Sequence, residues 1–107
     1  MEYVETFTDQ ELDRIIEEAT IYMCACPAQV ADALRQLRAL YRYQQRCLLG
    51  PDTTPEVHER IALSTVRAHA ELQQCLDDVL TLEQWDRSTL RMPPGLRQRQ
   101  HREVFNS

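Results

Sequence analysis

The stretch Thr8–Gly50, TDQELDRIIEEATIYMCACPAQVADALRQLRALYRYQQRCLLG, decides the fold. Apolar or small residues recur in it at positions 12, 16, 19, 23, 26, 30, 33, 37, 40 and 47, in steps that alternate four and three, with Gln44 in step among them. That spacing has the helical period, and the alternation is the seam of a coiled-coil-like packing. The stripe keeps its phase through Pro27, where the missing N–H and the clash with the preceding turn act against a helix. Phase on both sides predicts one continuous helix kinked at Pro27 rather than a true turn. The alternative is a break, with the first helix folded back in a compact three-helix monomer.

Outward from that stretch, the chain divides into three helical segments. Thr8 with Glu11 is a capping box, so the first segment covers 9–25, and acids in its first turn suit the helix dipole. The second covers 27–49, with Cys26 as cap and Pro27 as first helical residue. Gly50-Pro51 stops it, the glycine suited to a left-handed position and the proline unable to continue. Thr54 as cap and Pro55 as first residue open the third, 55–84, whose stripe is Ile61, Thr65, Ala68, Leu72, Cys75, Val79 and Leu82. The short connection makes it antiparallel to the second. The fold expected is all-α: an antiparallel helical hairpin with a Pro27-kinked or broken first arm. Its two broad apolar faces would not bury fully in a monomer, so dimerisation into a helical bundle is expected. Residues 1–86 form the single helical domain, and 87–107 read as a basic, proline-containing flexible tail.

Composition removes several classes. Two glycines and seven aromatics in 107 residues speak against a β-sandwich or barrel and leave no glycine-rich phosphate loop. No apolar run approaches the roughly 20 residues of a membrane span, and none near Met1 resembles a signal peptide, so a cytoplasmic protein without membrane partners is expected. The net charge of −5 speaks against a general nucleic-acid binder. Charge is segregated, however. Residues 1–33 hold eight acids and one arginine, whereas 34–50 hold four arginines and no acid.

Two constellations could carry chemistry. Antiparallel pairing gathers Cys24, Cys26 and Cys75 at one end of the hairpin, near Asp77 and Asp78. Three thiolates and a carboxylate match a tetrahedral zinc or iron site, and two neighbouring thiols could instead form a reversible disulfide. C-x-C lacks the C-x-x-C spacing of common zinc knuckles, and core cysteines behave as small hydrophobes. The second constellation is Arg35, Arg38, Arg42 and Arg46, a stripe opposite the core face that could dock an acidic protein partner or be balanced by the acidic first helix. No catalytic motif is present, so neither an enzyme nor a cofactor is expected. The sequence reads as a small helical interaction or adaptor protein, a homodimer acting through charged surfaces. Its rival is a metal-binding or thiol-redox protein built on the three cysteines.

Overall fold

The backbone amide of Thr8 donates to Glu11 Oε1 at 2.8 Å, and that of Glu11 donates to Thr8 Oγ1 at 3.0 Å. This reciprocal capping box starts helix α1 (Asp9–Ile21) where the sequence places it. Helices α2 (Ala25–Leu49) and α3 (Pro55–Leu82) follow, and the architecture is all-helical. The computed structural model describes residues 2–21, 25–51 and 54–94.

The kinked continuous arm is corrected to a break. Arg35 lies 3.4 Å from Asp13 and Arg38 2.8 Å from Asp9. In one helix these pairs would stand roughly 33 and 43 Å apart at about 1.5 Å per residue. The two segments are therefore not one continuous helix: α1 packs back on α2. Pro27 is fully buried in the first turn of α2. There its missing N–H has no intrahelical partner to lose, which is why the stripe stays in phase across it.

Gly50 ends α2 without adopting a left-handed conformation, against the expectation for it. Thr54 holds the cap position of α3 but makes no side-chain capping bond; Pro55 supplies the pre-set first turn. At the far end of α3 the left-handed residue is Gln84, with φ 59°. The Trp85 amide donates to Leu80 O, and the Gln84 amide to Thr81 O, both at 3.0 Å. This Schellman arrangement turns Trp85 back onto Leu80.

The turn brings more chain into the core. Asp86 Oδ1 accepts from the Ser88 amide, the Ser88 hydroxyl and the Thr89 amide, which holds its carboxyl below the ordinary range. Leu90 and Met92 are then only 5% and 2% exposed, in one cluster with Phe7, Leu12, Leu34 and Leu80. The expected tail from residue 87 is thus corrected as far as Met92. Residues 95–107 lie outside the described residues. Arg14 Nε donates to Thr89 O, and the Met92 amide donates to buried Glu18, fastening this turn to α1.

The core consequently sits where α1, the start of α2, the end of α3 and the 85–92 turn converge. At 13 residues, α1 is about 20 Å long and covers only the first half of α2, which is about 37 Å long. The other end is a bare two-helix hairpin, and the molecule is elongated, 57 × 25 × 19 Å.

Candidate functional site: a buried arginine clamp and an open apolar face

The face that α3 buries is displaced from the expected stripe. Buried positions are Ala62, Thr65, Val66, His69, Gln73, Leu76 and Leu80, centred one residue beyond the stripe 61, 65, 68, 72, 75, 79, 82. On α2 the fully buried residues Pro27, Ala31, Leu34 and Arg38 are displaced in the same way from 26, 30, 33 and 37. One residue is about 100° of helix rotation. The cause is polar: the buried side of both helices carries Arg38, His69 and Gln73, which grip the segment preceding α1.

Gln73 acts as a surrogate backbone for that segment. Its Oε1 accepts from the Thr6 amide at 2.8 Å, and its Nε2 donates to Val4 O at 2.9 Å. Arg38, fully buried, completes the grip with every guanidinium nitrogen engaged. Nε donates to His69 Nε2 at 3.0 Å, Nη1 to Asp9 Oδ1 at 2.8 Å, and Nη2 to Phe7 O at 2.6 Å and Gln73 Oε1 at 3.1 Å. Arg42 adds bonds to Glu5 and Asp9 at 3.0 and 3.1 Å. The Tyr3 ring stacks on Tyr41 at 3.9 Å between centroids and tilts against His69 at 4.9 Å.

The electrostatics match this geometry. The hydrogen bond from Arg38 holds the Asp9 carboxyl below its ordinary range. Burial, then the Arg38 charge, pushes the His69 pKa down from 6.5. Neutral His69 can accept at Nε2, as the Arg38 contact requires. Burial first, and then a hydrogen bond to Glu5, raises the Tyr3 hydroxyl. With the Arg38 donors spent on partners of the same chain, this cluster clamps the N-terminal segment, and His69 and Gln73 also line a cavity of about 500 Å³ with Glu2 and Asp77.

The arginine stripe is therefore not one solvated row. Arg38 is buried, Arg35 pairs with Asp13, and Arg42 pairs with Glu5 and Asp9. Arg46 is exposed, over the Tyr43 ring. Apolar spacing could have located Arg38, because Pro27, Ala31, Leu34 and Arg38 form a second four–three–four series beside the main stripe. Of the cysteines, Cys26 is exposed on the first turn of α2 and Cys75 is half-buried on α3; both are free thiols, as is Cys47. Cys24 lies outside the described residues. Among the described residues no group of three or more His, Cys, Asp or Glu side chains is arranged to hold a metal.

The displacement leaves part of the legible stripe open: Leu40, Ala68 and Leu82 are exposed, and Leu37 and Ile61 half-buried. Leu37, Leu40, Ile61, Thr65 and Ala68 floor a trough between α2 and α3, with Arg60 and Ser64 on its rim. It lies on the flank of α3 turned away from Gln73 and the clamped segment. Val57 and Leu82 continue the same flank of α3 at 54% and 82% exposure. Among the described residues no helix is long and apolar enough to cross a membrane. No family model, no curated protein and no solved structure matches this chain.

Proposed function

We propose that this chain is a small helical interaction protein, a homodimer that works in the cytosol by presenting surfaces rather than by catalysis. The observation that carries the reading is the open trough. Two antiparallel helices with a four–three apolar alternation, and only one of their common flanks covered by α1 and the clamped segment, are half of a four-helix bundle. Because Arg35, Arg38 and Arg42 are engaged with acids of their own chain, the apolar flank is a stronger docking surface than the arginine stripe. Gel filtration with light scattering at about 100 μM tests the reading. A mass of twice 12.6 kDa is expected, and a monomer at that concentration overturns it.

A second reading rests on Cys26 and Cys75, which lie on that same flank toward the same end of the antiparallel pair and which Cys24 could join in a zinc or iron site. Native mass spectrometry of metal-supplemented protein tests it. A metal increment lost on Cys26→Ser supports the reading, and a metal-free spectrum sinks it.

A further inference from the structure

The rim of the trough carries a charge pattern that names its occupant. Arg60, Arg67, Glu71 and Asp78 are all exposed on α3. Their spacings of seven, four and seven keep them on one edge of the helix. From Arg60 onward the edge is basic in its first half and acidic in its second, with exposed Glu56 one turn before Arg60 close to the same edge. Among the described residues, the ion pairs include none of these four, and the acceptor bond of Asp78 comes from Gln74 on its own helix.

We infer that a second copy of this chain closes the trough, with the two α3 helices antiparallel across a two-fold axis passing beside Ala68. The inference rests on the dimer reading above and specifies its geometry. Arg60 and Asp78 are equidistant from residue 69, nine positions out on either side; Arg67 and Glu71 are two positions out. An antiparallel α3 pair therefore sets Arg60 against Asp78 of the partner subunit and Arg67 against Glu71 of the partner subunit, each contact occurring twice by symmetry. The apolar places follow nearly the same centre. Ile61 and Cys75 are equidistant from Ala68, as are Val57 and Val79. Ala68 and Ser64, both exposed, are small enough for two helices to approach closely there.

The other two-fold arrangement would lay α3 on α2 of the second copy. The matching edge of α2 carries exposed Gln29, Gln36 and Tyr43; beside it lie only Asp32, already bonded by Gln36, and Arg46, over the Tyr43 ring, against the four charges on α3. Charge complementarity thus selects the α3-to-α3 pairing, and selects a second copy over a helix of unrelated charge pattern.

Two full-length variants test the inference. One carries Arg60→Glu and Arg67→Glu, making its edge wholly acidic; the other carries Glu71→Arg and Asp78→Arg, making it wholly basic. By sedimentation equilibrium each variant alone is expected to dimerise roughly a hundredfold more weakly than the natural chain, since four attractive contacts become repulsive. An equimolar mixture is expected to recover natural affinity as a heterodimer, and that recovery separates a register effect from damage to the fold. A natural chain that stays monomeric overturns the dimer reading itself. A natural dimer with variants that self-associate undiminished, or that fail to rescue each other, overturns the α3 pairing alone.

Discussion

Replacing Arg38 by methionine keeps the bulk of a long unbranched side chain and removes the guanidinium. The side chain is fully buried, so the consequences fall on its partners. Phe7 O loses its 2.6 Å donor and His69 Nε2 its 3.0 Å donor. Asp9 keeps Arg42 at 3.1 Å, and Gln73 Oε1 keeps the Thr6 amide at 2.8 Å. Two acceptors are orphaned in a dry site at about 1–3 kcal/mol each, and a buried ion pair is broken, which costs about 3–5 kcal/mol when one charge is left behind. Asp9 is half exposed and retains Arg42, so no charge is left buried and that second cost falls away; the two orphaned acceptors alone set the expected total at about 3 kcal/mol. For a domain of this size that is a large share of a stability of about 5–15 kcal/mol, and it corresponds to a fall in Tm of roughly 10–20 °C. Urea unfolding followed by circular dichroism measures the loss, and hydrogen exchange at the Thr6 amide reports release of the clamped segment. Arg35→Met is the control: its 3.4 Å pair with Asp13 joins side chains 47% and 66% exposed and should be worth less than about 0.5 kcal/mol. Arg38→Lys should not rescue, because one ammonium cannot reach His69, Asp9 and Phe7 from the directions a planar fork does. If Arg38→Met costs no more than Arg35→Met, the buried clamp is refuted.

His69 sets a pH dependence. Its folded pKa lies below 6.5, so the unfolded chain binds the proton more tightly; stability is complete above about 6.5 and falls as pH drops from there toward the folded pKa. His69→Gln should flatten that slope in urea titrations between about pH 5 and 6.5, and an unchanged slope would assign it to another group. Met92→Ala should cost about 2–4 kcal/mol by the cavity it leaves in the core, measured by chemical unfolding, whereas no loss would restore this residue to a tail. Gln84→Gly should stabilise by about 1 kcal/mol, raising the urea midpoint with an unchanged slope, because glycine removes the strain of a left-handed side-chain-bearing residue; a lower midpoint would contradict the Schellman turn.

The helices were legible because their signals are local. Thr8 with Glu11, Pro55 at a helix start and Gly50-Pro51 at a helix end each act within one turn of the residues they organise. That α1 packs back on α2 was illegible because the stripe keeps phase whether Pro27 kinks a helix or begins one. Leu90 and Met92 were illegible for another reason. They sit in a short turn set by Asp86 and the left-handed Leu90, so neither helical nor strand periodicity marks them as core. The cysteines followed from antiparallel level alone, which places side chains along a helix but not around it.

Rotation is what the polar residues supply. An apolar stripe permits α2 and α3 to meet along 30, 33, 37, 61, 68 and 72 or one residue beyond. The two rotations differ in where they send Arg38, His69 and Gln73. With burial centred on the stripe, these three would turn about 100° toward solvent, and the segment from Tyr3 to Asp9 would lose every bond that holds it. With burial centred one residue on, Arg38 meets Phe7, Asp9, His69 and Gln73 together. A buried polar cluster adds little net stability over an apolar one, but a misaligned one is costly, and this asymmetry lets it choose between the two packings. The clamp therefore fixes which flank of the hairpin takes the N-terminal segment, and by the same rotation it leaves Leu37, Leu40, Ile61 and Ala68 on the flank that remains open.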